Sequence, residues 1–389
     1  MVRRHSTPQI SRRHVLKAAA AGIGAGLLPT PVFAQGTVPV QVVSNYPANQ
    51  WGTPGLYPAQ VVAMYHSGSS IQNQYQTGPI QQMIRNGLTA LTGAKNYVAA
   101  WRQFVRPGDV VGIKINPNGN ELVQSSPAAM MEIVSGLLLA GVSPRNIIVY
   151  ERYAEILSWV APYFLPSWVQ TASAAPAYAD DQTDITGYDP NHYVDTQLFY
   201  DWQILEPDYQ QNPAYTRSHA AQFFTQRVNK IINLAQLKNH NAAGVTLAMK
   251  NLTHGGTNNV DRSHPSWGNF YTTYIPAVIS MPVIRYKAVL HIVDGIHGQY
   301  EAGPHGPDQY VWENKTMYFA TDAVAIDRVG WNVIDAQRVA VGMPISEDST
   351  PYIGQPGNLQ QPQYILSAGA AGLGECRDAY INLRTTVLG

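Results

Sequence analysis

A loop in the last third of the chain carries the densest set of side chains that could do chemistry. An apolar run ends there in Asp294, and His297, Glu301 and His305 follow among several glycines. Ligands of open α/β sheets bind beyond the carboxyl ends of strands, so the loop is predicted to line a site. The alternative is that Asp294 caps a turn and that the glycine-rich stretch is a surface loop.

Imidazole and carboxylate side chains of this kind suggest a divalent metal. The predicted metal ligands are His254, His264, His297, His305 and Glu301. This ligand chemistry fits zinc, manganese or iron. Such a metal would activate water or polarise a carbonyl or phosphoryl group of the substrate. No HExxH motif occurs, and each histidine could instead bond to the backbone of its loop.

Cationic side chains give a second interpretation, a pocket for a carboxylate or phosphate with a histidine or aspartate as acid or base. Its cations are Lys114, Arg152, Lys238 and Lys250. The predicted catalytic residues are Lys114, His254 and Asp294, and the predicted substrate-binding residues are Asn116, Arg152, Lys250 and Asn258. Neither glycine-rich segment is a Walker or dinucleotide fingerprint, so the sequence gives little support to nucleotide binding.

The elements that would position these residues follow an α/β pattern. Residues 110–116 form an apolar run, Ser126 and Pro127 are typical of a helix start, and residues 146–150 form the next apolar run. This spacing predicts a strand, a crossover helix and a parallel strand. We therefore expect an α/β fold with a mainly parallel sheet and flanking helices.

Residues from about 153 to 225 break this pattern. The segment is rich in tyrosine and tryptophan and has no clear periodicity. It is predicted to be an irregular, aromatic-rich insertion within a single α/β domain of residues 35–389. Its rings could bind a ligand, but packing is favoured because large aromatic side chains usually contribute core area.

The first 34 residues resemble a twin-arginine signal peptide. Arg12 and Arg13 precede an Ala- and Gly-rich apolar stretch, and a small-residue cleavage site precedes Gln35. The alternative is a general secretory signal with a chance arginine pair. We expect recognition by the twin-arginine translocation machinery and a periplasmic or secreted protein. The apolar stretch is too short to span a bilayer, so no permanent membrane span is expected.

Composition narrows the classes of function. The chain has 389 residues, of which only 13% are charged. Without the signal peptide, 20 basic residues face 25 acidic ones, and a net charge of −5 argues against a nucleic-acid partner. Cys376 is the single cysteine, which excludes an intrachain disulfide and a cysteine-ligated iron–sulfur cluster.

Four separated segments resemble a known family. They are GDVVGIKIN, AGVSPRNIIVYER, LAMKNLTHGGTNNVDRSH and VDGIHGQYEAGPHGP with TDAVAIDRVG, spread between about Val61 and Met343. Together they resemble the domain of unknown function family numbered 362. The resemblance implies a common α/β scaffold and a shared site, without a known reaction. Some members add ferredoxin-type iron–sulfur segments, and a single cysteine leaves no such segment here.

Taken together, the residues indicate an exported enzyme of unassigned reaction that acts on a small molecule. Its polar site would be lined by His, Asp and Lys, with metal-assisted hydrolytic or redox chemistry. The alternative is a non-catalytic periplasmic protein that binds a ligand or carries a metal.

Overall fold

The computed structural model describes residues 40–177, 182–196, 213–263, 271–346 and 362–389. The strands are β1 Val40–Val43, β2 Gln60–His66, β3 Ser70–Ile71, β4 Gln74–Tyr75, β5 Val111–Lys114, β6 Ile147–Tyr150, β7 Gln170–Ala172, β8 Tyr188–Thr196, β9 Arg217–Ala221, β10 Lys230–His240, β11 Gly244–Thr246, β12 Ala288–Gln299, β13 Val311–Ala320 and β14 Asn382–Leu388. The helices are α1 Thr77–Thr92, α2 Tyr97–Trp101, α3 Pro127–Ala140, α4 Ala154–Ser158, α5 Ala161–Phe164, α6 Pro213–Thr216, α7 Ala248–His254, α8 Tyr271–Ser280, α9 Pro282–Arg285, α10 Ala323–Ala340 and α11 Gln363–Ala370. The predicted signal peptide lies outside these residues.

A mainly parallel sheet runs through the protein. Its strand order is β14-β2-β13-β12-β10-β5-β6-β7, and β11 pairs with β10 beside this path. Strand β13 is antiparallel to both neighbours and β11 is antiparallel to β10, whereas the remaining pairs are parallel. The predicted α/β fold class is therefore confirmed.

Strands β5 and β10 are neighbours from which the chain leaves in opposite directions. After β5 it crosses through α3 to β6 and then reaches β7, whereas after β10 it crosses through α7, α8 and α9 to β12 on the other side. This arrangement is a topological switch point, and crevices that bind ligands form at the carboxyl ends of the strands there. Lys114 ends β5, and Lys238 lies two residues before the end of β10.

Two apolar cores cover the two faces of the sheet. Alternation along the strands divides their side chains, so that Ile147 and Val149 enter one core and Ile148 and Tyr150 the other. Helices α1, α2 and α3 close the first core, and α7, α8, α10 and α11 close the second. Both faces are covered, which explains the near-continuous apolar runs of the central strands.

Strand β12 is longer than the sequence suggests. The Asp-Gly pair at position 294 resembles a strand end, but β12 continues to Gln299 because it pairs with β13 along a long hairpin. Its glycines serve close packing rather than a turn: a Cβ on Gly298 would lie 2.2 Å from the ring of Trp312. Asp294 therefore lies inside a buried strand and not in a loop.

The segment predicted as an insertion is only partly separate from the sheet. Strand β7 pairs in parallel with β6 and so extends the main sheet. Strand β8 instead joins β1 and β9 in a three-stranded antiparallel sheet. Near the end of this segment, Phe223 stacks on Tyr150 of β6 with ring centroids 4.1 Å apart, as expected for packing. No helix in the described part of the chain is long and apolar enough to cross a membrane.

Candidate functional site

A cavity of about 500 Å³ opens at the carboxyl ends of β5, β6 and β10. Helix α7 forms one wall, and the segment after β12 contributes part of the rim. The lining residues are Lys114, Asn116, Asn118, Glu151, Arg152, Tyr153, Glu155, Ile156, Trp159, Lys238, His240, Thr246, Lys250, Asn251, His254, Gly255, Val260, Pro304 and His305. The cavity thus lies at the switch point, where the order of strands places a ligand crevice.

Positive charge dominates the cavity wall. The cations are Lys114, Arg152, Lys238 and Lys250, each at most 8% exposed. The carboxylates are Glu151, which is buried, and Glu155, which lies exposed at the rim. Buried cations are costly unless an anion or hydrogen-bond acceptors compensate them, so the local partners of each cation decide what the cavity can bind.

Lys114 is already paired. Its Nζ donates to a carboxylate oxygen of Glu151 at 2.7 Å and to the side-chain oxygen of Asn251 at 3.0 Å. Burial lowers the pKa of Lys114, and the adjacent Glu151 opposes that effect. The pair joins the end of β5 to the residue after β6 and to α7, so Lys114 forms the floor of the site.

Among the described residues, Lys238 donates hydrogen bonds to neutral groups. Its Nζ donates to Oδ1 of Asn116 at 3.1 Å and to the carbonyl of Asn118. Burial lowers the pKa of Lys238 to about 7, with Glu151 opposing and Lys114 adding to the decrease. A positive charge held by neutral oxygens leaves Lys238 able to attract an anion from the cavity.

Lys250 is the least satisfied of the cations. Its Nζ makes no hydrogen bond with the residues that the structure describes, and it lies 5.7 Å from the centroid of the Tyr271 ring. Burial lowers the pKa of Lys250 to about 7, and the neighbouring charge of Lys238 adds to the decrease. The amine therefore faces the cavity without a partner of opposite charge in the described residues.

Arg152 and His254 are held by neutral groups. The Arg152 guanidinium donates to the hydroxyl of Tyr188 at 2.9 Å and to the carbonyl of His254 at 3.2 Å. The His254 ring stacks on Tyr271 with centroids 5.4 Å apart, and its Nε2 lies 3.0 Å from the hydroxyl of Ser263. These contacts orient both side chains along one wall.

Helix α7 is anchored from two sides. A carboxylate on α10, Asp327, accepts hydrogen bonds from the backbone N–H groups of Ala248 at 2.7 Å and Met249 at 3.0 Å. One turn later, Asn251 donates to the side chain of Asn233 on β10 at 2.7 Å. These bonds fix the start of the helix that carries Lys250 and His254.

One predicted catalytic residue, Asp294, and one predicted substrate-binding residue, Asn258, lie outside the cavity. Asp294 accepts hydrogen bonds from the backbone N–H groups of Ser126 at 3.0 Å and Ile296 at 3.2 Å, and burial raises its pKa. Asn258 accepts from the N–H of His219 at 2.6 Å and donates to the carbonyl of Asp184. Neither residue lines the cavity, and the described contacts of both give them a structural role.

The described metal ligands that the sequence predicts lie in different places. His254 and His305 line the cavity, but His297 lies between the carbonyl of Leu122 and the hydroxyl of Ser70, at 2.7 Å from each. Glu301 pairs with Arg338. Within the described ranges, no three His, Cys, Asp or Glu side chains form a group that could hold a metal. His264 lies outside them, and metal binding stays a prediction.

Sequence reasoning did not single out several lining residues. They are Glu155, Trp159, His240 and Asn251. The sequence does offer a signal for Asn251 and His240, since each lies within two residues of a predicted site lysine on the same element. Trp159, which is 47% exposed, lies in the aromatic segment, where the sequence gives no means of separating a cavity wall from a packed ring.

Comparison with known proteins agrees with the predicted resemblance. Residues 207–332 match the family Domain of unknown function (DUF362). The DUF362 segment covers less than half of the chain and supplies Lys238, Lys250 and the cavity histidines His240, His254 and His305. Lys114 and Arg152 precede it. The predicted resemblance to this family is confirmed.

Neither of the other comparisons adds a function. A protein of known crystal structure from Thermotoga maritima is similar with a TM-score of 0.29 and 9% identity, over 58% of this chain and 51% of that one. The matched region thus spans about half the length of that protein. No curated protein matches the chain.

Proposed function

We propose that the cavity binds a small oxyanion, a carboxylate or a phosphate, and that the protein is an enzyme acting on it. One observation carries the proposal: buried Lys238 and Lys250 face the same cavity without a carboxylate partner among the described residues. A cavity of about 500 Å³ is within the usual size range for small-molecule sites.

An anion would compensate the cost of burying these charges. Lys114 already has Glu151, and Arg152 has neutral partners in Tyr188 and a backbone carbonyl. Lys238 and Lys250 are therefore the cavity cations that a bound anion would compensate most. A bound anion would favour their protonated forms, because an opposite charge nearby stabilises the charged state of a lysine.

Catalysis is supported by the titration of the same groups. Lys238 and Lys250 have pKa values lowered to about 7, and burial together with Lys238 lowers the pKa of His305 at the rim. Groups that change protonation near neutral pH inside a cavity are suited to acid and base roles. A ligand-binding accessory protein is the alternative, and it would bind the same anions without converting them.

Export is a separate part of the proposal and rests on the first 34 residues. Replacement of Arg12 and Arg13 by lysine should leave the precursor in the cytoplasm, as followed by fractionation.

Metal binding is not part of the proposed anion site, since four cations would repel a divalent ion. Elemental analysis of the exported protein tests the metal prediction directly.

Isothermal titration calorimetry with inorganic phosphate and with oxalate tests the anion site. Lys238→Met should weaken binding of whichever anion binds by about tenfold or more, since charge-assisted hydrogen bonds contribute about 1.5–3 kcal/mol. Lys238→Arg, which keeps the charge, should retain more affinity. A matched control is Lys230→Met, because Lys230 begins the same strand but packs on the Trp51 ring at 3.3 Å, outside the cavity.

Two results would contradict the proposed anion site. One is the absence of measurable binding of either anion to the folded protein. The other is an equal loss of affinity in Lys238→Met and Lys230→Met, which would point to a nonspecific effect of charge. If binding is confirmed but no anion is converted, the ligand-binding alternative replaces the enzyme.

A further inference from the structure

We propose that Lys250 is a nucleophile that forms an imine with the carbonyl carbon of a small oxo acid, whose carboxylate is held by Lys238. This inference rests on the proposed anion site and specifies its substrate class. It assigns different roles to the two lysines: Lys238 binds, and Lys250 reacts.

The geometry separates Lys250 from the other buried lysines. Lys114 is bound by Glu151, Lys238 by Asn116, and Lys287 donates to the carbonyl of Val228 at 2.8 Å. Lys230 is also buried, but its Nζ packs on the Trp51 ring at 3.3 Å, outside the cavity. Of the buried lysines that line the cavity, Lys250 alone has no hydrogen-bond acceptor in the described part of the chain. A free amine that borders a cavity is accessible to a carbonyl group, whereas an amine engaged with acceptors must first break its bonds.

The surroundings of Lys250 also favour the reactive form. A lysine must lose its proton before its nitrogen can attack, and burial next to another cation favours the neutral amine. The pKa of Lys250 is lowered to about 7, in part by the charge of Lys238. In the ligand-free protein at pH 7 this side chain therefore contains on the order of a thousandfold more neutral amine than an exposed lysine.

The step balances without any further reactant. The lone pair of the neutral Lys250 amine adds to the carbonyl carbon as the carbon–oxygen π bond breaks, and a proton passes from that nitrogen to the oxygen, which becomes a hydroxyl group. Loss of that hydroxyl as water, with a proton transferred from the nitrogen to the leaving oxygen, leaves a carbon–nitrogen double bond. The imidazole of His305 lines the same cavity, and we assign the transfer of that proton to it.

The side chain that holds the carboxylate and the side chain that attacks the carbonyl must be different residues, close enough to contact one small molecule. Lys238 projects from β10 and Lys250 from α7, and both line the cavity. A short oxo acid presents its carboxylate and carbonyl on adjacent carbon atoms, so one molecule can contact both side chains. A phosphate without a carbonyl would bind at Lys238 but could not react with Lys250.

Reductive trapping tests the inference on the full-length protein. The protein is incubated with pyruvate, sodium borohydride is added, and every lysine is examined by peptide mass mapping. We expect the reduced pyruvate adduct on Lys250 at pH 7, and its loss in Lys250→Arg. Lys287 and Lys95 serve as internal controls: the first is buried but hydrogen-bonded, and the second is exposed. Neither should be labelled above background.

The outcomes separate the inference from the proposed function. If phosphate or oxalate binds in the calorimeter but Lys250 is not labelled, or another lysine is labelled instead, the imine is refuted and the anion site stands. If no anion binds and Lys250 is not labelled, both fail. Labelling of Lys250 that oxalate suppresses supports both, because oxalate occupies the carboxylate site and has no ketone to react. Circular dichroism of Lys250→Arg checks that the fold is retained.

Discussion

Gly255 lies directly against the side chain of Lys114. A Cβ at this position would lie 2.0 Å from Cε of Lys114 and 2.4 Å from the carbonyl oxygen of Asn251. Gly255→Ala should therefore displace Lys114 from Glu151 and lower the free energy of unfolding by about 1–3 kcal/mol, as overpacking does. Urea unfolding followed by fluorescence measures the change.

Gly78→Ala is the matched control for this substitution. Gly78 is exposed in the first turn of α1, and no atom lies within 4 Å of the position of an added Cβ. We expect no loss, or a gain of up to about 1 kcal/mol from helix propensity. Equal effects of the two substitutions would show that Gly255 does not support the Lys114 pair.

The structure indicates a structural role for Asp294, whereas the sequence predicts a catalytic one. The sequence alone predicts that His254→Ala combined with Asp294→Ala leaves the fold intact and removes binding. In the structure, Asp294→Ala removes the acceptor of two buried backbone N–H groups, those of Ser126 and Ile296. We expect a loss of about 1–3 kcal/mol or more in the free energy of unfolding, measured in urea. Unchanged stability would contradict this structural role.

The local sequence indicates which cations line the cavity more clearly than it indicates which carboxylates do. Lys114 and Lys238 stand near the ends of apolar runs, and strand ends converge at one edge of a parallel sheet. Asp294 and Glu301 have the same residue type as catalytic groups, but their partners Ser126 and Arg338 are distant in sequence. The residues that flank a carboxylate in the sequence do not indicate a hydrogen-bond or ion-pair partner that is distant in the chain.

At the scale of elements, α7 depends on a carboxylate from another helix. Asp327→Ala would leave the N–H groups of Ala248 and Met249 without an acceptor, which costs about 1–3 kcal/mol for a buried group. The start of α7 would shift, and with it Lys250. We therefore expect a fall in both the free energy of unfolding and the affinity for the anion, measured by urea unfolding and calorimetry.

Asp378→Ala provides the comparison. Asp378 pairs with Arg328 at 2.6 Å, and its side chain is 52% exposed. An exposed pair contributes about 1 kcal/mol or less, so stability should change little and anion affinity should not change. If Asp327→Ala lowers stability but leaves the anion affinity unchanged, the cavity does not depend on the cap of α7.

Elements with independent local signals were predicted well. The unit from β5 through α3 to β6 has a serine cap, a proline in the first turn and a glycine after the last turn, and the structure reproduces it. For strand β12 the sequence predicts an end near Asp294, because Asp-Gly usually signals a turn. The glycines instead accommodate the neighbouring strand β13, and only tertiary pairing could reveal that.

At the scale of the whole molecule, the position of the cavity follows from topology. Crossovers leave β5 and β10 in opposite directions, and the crevice between their carboxyl ends receives side chains from segments before and within the DUF362 match. The order of α/β elements in the sequence predicts such a crevice. It does not predict which strands are neighbours. The number of positive and negative side chains in the crevice therefore cannot be determined from the sequence alone.

That balance of charge predicts how the stability of the ligand-free protein depends on pH. The pKa values of Lys238 and Lys250 are about 7 in the folded protein, below the ordinary value of 10.5. Above pH 7 the unfolded chain therefore binds more protons than the folded one, and the free energy of unfolding rises with pH. The contribution is at most about 1.4 kcal/mol per pH unit for each lysine.

Urea unfolding at pH 7, 8 and 9 measures this slope, and Lys250→Met should reduce it because one of the two groups is gone. A saturating anion should flatten it, since an anion bound to protonated lysines raises their pKa values in the folded state. The same slope in Lys250→Met and in the unsubstituted protein would show that Lys250 stays protonated over this pH range in the folded protein, as it does in the unfolded chain. The neutral amine that the imine requires would then be scarce near neutral pH.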